Sequence, residues 1–214
     1  MREEYKAYLW LRDMLQKMRP RVIFEIGMCD GHHTEMLLTF CHPVRPFYFG
    51  FEADPRNVAR IVANGRSRMI DFFPCAVGNV TGETSFNLAT PEPGGAIGSS
   101  SLSEFLPVLT EWHPWLKCQE SVRVQSWRLD DFCEEHAVGS IDFIWMDVQG
   151  AERLVYEGAQ SILQRTKYIW TEHDPGYKDS VTLDQLLATL PGDWKVLSEH
   201  GPDVLLVNTA LVTL

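Results

Sequence analysis

Residues 141–159, "IDFIWMDVQGAERLVYEGA", change character halfway along. Ile141, Phe143, Ile144, Trp145 and Met146 form a short apolar run that reads as a buried strand. From Gln149 onward the apolar positions recur at helical spacing. The seam "MDVQGAE" therefore sets Asp147, Gln149 and Glu152 where a strand hands over to a helix. That unit builds a parallel α/β sheet, and in open sheets of this kind ligands bind beyond the carboxyl ends of the strands.

The same plan recurs on both sides of the segment. "VIFEI" (22–26) leads into "GMCDGHHTEMLLTF", a glycine-bearing turn and a helix. "FYFGFEADPRNVARIVANG" (47–65) gives a strand, an acidic seam and a helix, with Asp54 as N-cap, Pro55 in the first turn and Gly65 as a stop. "MIDFFPCAV" (69–77) reads as a third strand, and "TGETSFNL" (81–88) and "SVRVQSW" (121–127) as further ones. "LDDFCEEH" and "VTLDQLLATL" read as helices and "KYIWTEHD" (167–174) as another strand with an acidic end. "DWKVLSEHGPDVLLVN" (193–208) holds two strands joined too tightly for a helical crossover, so they pair antiparallel. An amphipathic helix over residues 3–18, ended by Pro20, packs on the core. The expectation is a single α/β domain over residues 1–214, built on a doubly wound, mostly parallel seven-stranded sheet with an antiparallel C-terminal hairpin. The Pro-, Gly- and Ser-rich stretch 89–105 is a long loop within that domain, of a length that often carries function.

Bulk properties narrow the function. The net charge of −10 argues against a nucleic-acid or anionic-membrane surface, and no run of 18 apolar residues marks a membrane span. Five cysteines, none at C-x-x-C spacing, read as reduced thiols of a cytoplasmic protein rather than a zinc site or a disulfide framework.

Polar residues collect at one end of strand after strand. Glu25, Gly27, Asp30 and Gly31 follow or close the first, Glu52, Ala53 and Asp54 the second, Ala76 and Val77 the third. Asp147 and Gln149 follow the strand of the opening segment, and Glu172, His173 and Asp174 the next. Gly27 and Gly31 would let a cofactor approach backbone, and Glu52 is placed for the hydroxyls of a ribose. The dinucleotide fingerprint G-x-G-x-x-G is absent, since position 29 is Cys, and Asp30 at the helix mouth would repel a pyrophosphate. An adenosine ligand carrying positive charge fits better.

On "FEIGMCDGHHT", "FGFEADP", "CAVGNVTGETSFNL", "GSSSL", "RLDDFCEEH" and "IDFIWMDVQGAERLVYEGA", the chain resembles the FkbM-type family of class I S-adenosylmethionine-dependent methyltransferases. The resemblance runs from about Val22 to about Asp174. It implies a Rossmann-like fold and S-adenosylmethionine as cofactor. Glu25, Gly27 and Gly31 would line its methionine end, Glu52 its ribose, and Ala53, Asp54, Ala76 and Val77 its adenine. Asp147 would face the methionine moiety or the acceptor, with Ser100 and Ser101 near the cofactor. Asp30 stands where many members of that family carry an apolar residue, and Gln149 where many carry Glu.

For methylation of a hydroxyl on a small molecule such as a sugar or secondary metabolite, His173 is the first general-base candidate and Asp147 the second. His32 and His33 read as a surface pair. A magnesium site at Asp147, Glu172 and His173, with Asp174, would suit hard oxygen donors, but a metal is not expected. Glu152 reads as helix-terminus chemistry, Trp145 and Trp170 as core, and Trp112 and Trp115 as a substrate wall. The competing readings are a non-catalytic binding module on the same scaffold and an NAD(P)-dependent reductase.

Overall fold

Strands buried on both faces need apolar residues at successive positions, and the central runs supply them. In the computed structural model, which describes residues 3–173 and 175–213 (the side chains of residues 3–6 excepted), "VIFEI" forms β1 (Val22–Ile26) and "IDFIWM" forms β7 (Ile141–Met146). Beside them lie β2 (Phe47–Phe51), β3 (Asp71–Phe73), β8 (Thr166–Glu172), β9 (Trp194–His200) and β10 (Asp203–Asn208). The seven strands follow the order β3-β2-β1-β7-β8-β10-β9. From β3 to β8 all neighbours run parallel, and β10 inserts antiparallel between β8 and β9. The seven-stranded sheet and its antiparallel C-terminal pair match the sequence expectation.

Two apolar layers cover the sheet. On one face Phe24 and Ile26 of β1 pack with Phe51, Ile144 and Met146, and with Phe132 of α5 (Leu129–Glu135), Val155 and Tyr156 of α6 (Glu152–Glu157) and Leu186 of α7 (Leu183–Thr189). On the other, Ile23, Phe143, Trp145 and Trp170 meet Ala7, Leu11 and Leu15 of α1 (Glu3–Met18) and Leu37 of α2 (His32–Cys41). The N-terminal helix thus docks on the core through one stripe. Asp54 caps α3 (Pro55–Ala63), accepting a hydrogen bond from the Arg56 backbone N–H. Among the described residues no helix is long and apolar enough to cross a membrane.

The middle of the chain builds something the strand pattern did not reveal. "MIDFFPCAV" is not one strand: Pro74, without an N–H, divides β3 from β4 (Ala76–Val77). β4 joins a second sheet of order β4-β6-β5, with β5 (Gly82–Ala89) antiparallel and β4 parallel to β6 (Cys118–Trp127). The short α4 (Pro107–Trp112) lies in the connection between β5 and β6.

Candidate functional site

The strand order reverses at β1, which has β2 on one side and β7 on the other. Beyond that switch point three chain segments are drawn together. The backbone N–H groups of Gly27 and Met28 donate to the Phe51 carbonyl at 3.0 and 3.1 Å, and Asp147 N–H donates to the Ile26 carbonyl at 2.9 Å. Gly27 has φ 87°, and a Cβ there would stand 1.9 Å from the Asp147 carbonyl oxygen. Only glycine lets the ends of β1 and β7 come so close.

These strand ends open onto a cleft with about 540 Å³ of empty space. Gly27 and Cys29 line it after β1, Glu52, Ala53 and Asn57 after β2, and Cys75, Ala76 and Val77 along the crossing into the second sheet. Phe86, Ile97, Ser100 and Leu102 close one side, while Asp147, Val148 and Ala151 close the other. The lining contains Glu52 and Asp147 but no Lys or Arg.

Most polar groups in this wall are held. Glu52 accepts hydrogen bonds from the backbone N–H of Cys29 and of Asp54, both at 2.7 Å. Burial nevertheless pushes its pKa up to about 8. Cys29 adopts a left-handed backbone, φ 53°, and its thiol, 3.5 Å from the Ile97 carbonyl, is pushed by burial up to about 12, so it is not a thiolate nucleophile. The Asp147 carboxylate accepts from the Gln149 side-chain amide at 2.7 Å. Gln149 Oε1 in turn lies 2.9 Å from the Tyr177 hydroxyl, which stands 3.0 Å from the Ser99 carbonyl.

Several anticipated residues sit behind the wall instead of on it. Glu25 is fully buried within β1, where its Oε2 accepts from the Thr34 and Tyr48 hydroxyls at 2.6 and 2.7 Å. Burial pushes it up to about 7. Asp54 pairs with the Arg56 guanidinium at 2.6 Å and accepts from Ser100 Oγ at 2.7 Å. Burial would raise its pKa, but the bonds from Arg56 and Ser100 outweigh that and hold it low. Ser101 Oγ donates to the Val148 carbonyl at 3.2 Å and accepts from Ser103 N–H, bracing the serine loop against the β7 seam. Asp30 bonds the His32 backbone N–H at 2.9 Å and faces Arg66, so its carboxylate occupies the start of α2, and Gly31 caps that helix at φ 79°.

The two general-base candidates are placed apart. His173 lies away from the cleft lining, in a separate hollow with Glu152, Arg153, Asp179 and Ser180. Glu152 stands in the first turn of α6, where it is buried, is pushed by burial up to about 8, and accepts from Gly150 N–H at 3.3 Å. Among the described residues no three His, Cys, Asp or Glu side chains gather as a metal site, so Asp147, Glu172 and His173 are not assembled into one. Asp174 falls outside the described residues. His33 packs on Trp145, ring centroids 4.7 Å apart, while His32 is exposed. Trp145 and Trp170 stack in the core, as their strand positions required. Trp115 packs on the Leu109–Leu116–Tyr177 cluster and Trp112 is exposed, neither lining the cleft. Cys29, Asn57, Ile97 and Leu102 were among the unforeseen members of the wall; for Asn57, an amide in the first turn after an acidic strand end was the available signal.

The donor set suits S-adenosylmethionine. An apolar slot of Ala53, Ala76, Val77 and Ile97 can take an adenine, Glu52 can accept ribose hydroxyls, and an acidic wall without counter-cations tolerates a sulfonium better than a pyrophosphate.

Comparison with known proteins points the same way. The Methyltransferase FkbM domain matches residues 25–201. The chain is 32% identical over 218 aligned positions to 2-O-methyltransferase NoeI of Sinorhizobium fredii, covering 96% of this chain and 86% of that one. The fold resembles methyltransferase FkbM from Methylobacillus flagellatus (TM-score 0.56, 14% identity, 88% of this chain and 44% of that one). It also resembles the O-methyltransferase from Bacillus cereus in complex with SAH (TM-score 0.52, 16% identity, 94% and 80%). The present chain thus spans under half of the Methylobacillus protein's length.

Proposed function

The chain belongs to the FkbM methyltransferase family, and on that premise we propose that it transfers a methyl group from S-adenosylmethionine to a hydroxyl of a small molecule, a sugar first among the candidates. The observation that carries this reading is the cleft at the switch point, lined by Glu52 at the end of β2 and Asp147 at the end of β7 and by no Lys or Arg. The similarity to a 2-O-methyltransferase supports oxygen as the acceptor atom.

When bound, the sulfonium cofactor supplies an electrophilic methyl group that needs no further activation. The protein's share is positioning and handling of the acceptor's proton. Gly27 lets the ends of β1 and β7 close together beside the ligand, Glu52 accepts ribose hydroxyls, and Ala53, Ala76, Val77 and Ile97 wall the base. Asp147 is the carboxylate on the cleft that can orient the acceptor and take its proton, and the Gln149 amide fixes how it points. His173 lines a separate hollow, which makes Asp147 the candidate base in this reading.

Calorimetric titration with S-adenosylhomocysteine and with NADH separates this reading from a reductase: the first should bind and the second should not. Incubation with methyl-labelled S-adenosylmethionine and a panel of mono- and oligosaccharides should then yield labelled methyl ethers. Tight NADH binding without S-adenosylhomocysteine binding would overturn the proposal. Label appearing only on amines would overturn the choice of oxygen.

A further inference from the structure

Asn57 stands in the first turn of α3, is 2% exposed, and lines the cleft. Its Nδ2 donates to the Ile97 carbonyl at 2.7 Å. That bond fixes the amide, because turning it over would set two oxygens against each other at the same distance. Oδ1 is then left buried with no hydrogen-bond partner. Native proteins rarely leave such an acceptor unsatisfied, and one in the wall of a ligand cleft marks where a donor on the ligand belongs.

The other polar groups on this side of the cleft are already engaged. Both Glu52 oxygens take backbone N–H groups, and Ser100 Oγ donates to Asp54 while accepting from Ala89 N–H at 3.0 Å. The neighbouring wall of Ala53, Ala76, Val77 and Ile97 offers faces to stack on but no side-chain polar atom to read a base edge. We propose that Asn57 Oδ1 accepts the exocyclic 6-amino group of the cofactor's adenine and makes the cleft selective for that base. A 6-amino group presents hydrogens to Oδ1, whereas the 6-oxo group of hypoxanthine presents an oxygen and leaves two acceptors facing each other. The inference rests on the S-adenosylmethionine reading above and assigns one residue its part in base selection.

The test compares S-adenosylhomocysteine with S-inosylhomocysteine, which differ at that edge of the base, by calorimetric titration of the intact chain. The native protein should bind the adenine compound about tenfold or more tightly than the inosine compound. Asn57→Ala and Asn57→Leu, the latter of similar branching, should reduce the ratio to below about threefold, chiefly by weakening the adenine compound. Circular dichroism and thermal unfolding identify which of the two variants is folded and fit for the comparison. Equal binding of both compounds to the native protein overturns the inference and points to a ribose contact for Oδ1. A ratio that survives in a folded Asn57 variant assigns selection elsewhere and also overturns it. If the native chain binds neither compound, the cofactor reading itself fails, and this assignment with it.

Discussion

The Gln149 amide holds the Asp147 carboxylate at 2.7 Å from a backbone that is itself in the left-handed region, φ 54°. A side chain larger than glycine costs about 1 kcal/mol or more there. The next residue, Gly150, gives way to the Tyr177 side chain, whose Cβ lies 2.3 Å from where a Gly150 Cβ would stand. Strain, glycine and tyrosine together fix one orientation of the amide. Gln149→Ala should therefore lower kcat about fivefold, the worth of about one hydrogen bond, with a smaller change in the KM for S-adenosylmethionine. Tyr177→Phe, one bond further away, should have a weaker effect of the same kind. Steady-state kinetics check both, and unchanged turnover in Gln149→Ala would remove the amide from Asp147's support.

Gly27 offers a steric test of the switch point. Gly27→Ala would drive a methyl group into the Asp147 carbonyl at a backbone angle alanine resists. The expected cost is about 3 kcal/mol or more, or failure to fold. Gly65 has nearly the same backbone angle, φ 80°, but nothing within 4 Å of its missing Cβ. Gly65→Ala should cost only about 1 to 2 kcal/mol, so urea unfolding of the pair separates the packing cost from the backbone cost.

Buried carboxyls set the pH dependence of stability. Glu25 rises from 4.5 when unfolded to about 7 in the fold, and Glu52 and Glu152 to about 8, in each case through burial. Between those limits the unfolded chain has released protons that the folded one still holds, so stability falls as pH rises from about 5 to 8 and levels above. Denaturant unfolding at pH 5 and pH 8 should show the loss. Glu25→Gln, which cannot ionise, should be more stable than the native chain by about 3 kcal/mol at pH 8 and by under about 1 kcal/mol at pH 5. A native chain more stable at pH 8 than at pH 5 would contradict the assignment.

How much of this could be read from the chain depends on whether a property is local. The strand-to-helix seams at Glu52 and Asp147, the Asp54 cap and the C-terminal antiparallel pair were legible because period and turn chemistry act over a few residues. The second sheet was not, since pairing of β5 with β6 joins residues 82–89 to 118–126 and has no local signature. Pro74 was the visible warning that "MIDFFPCAV" breaks. His173 shares the acidic-end pattern of Asp147, yet it lines a separate hollow with Glu152 and Arg153, and only the three-dimensional path of the chain reveals that. Glu25 and Glu52 look alike in sequence, but Glu25 lies inside its strand and Glu52 just past the end of one.

The Asp54–Arg56 pair shows how a cap became a brace. Arg56 also lies 3.3 Å from Ser100 Oγ and donates to Gln119 Oε1 at 2.9 Å, tying α3 to the serine loop and to β6. Arg56→Ala would leave a buried carboxylate without its cation and should cost about 2 to 3 kcal/mol. Limited proteolysis should then cut first within residues 89–105. An unchanged digestion pattern would show that Ser100 alone holds the loop.

The contact between Gly27 and the Asp147 carbonyl also limits how such a protein can diversify. The two turns that carry it interlock backbone to backbone, so neither 25–31 nor 147–152 can gain or lose a residue without displacing the other. Insertions would be better tolerated at exposed loop tips, such as that of Gly94 and Gly95 between β5 and β6, where nothing stands within 4 Å of the missing Cβ atoms. New acceptors would therefore be acquired by lengthening or reshaping those loops around an unaltered pair of turns. An engineer seeking a different substrate should randomise the loops and leave the interlock alone.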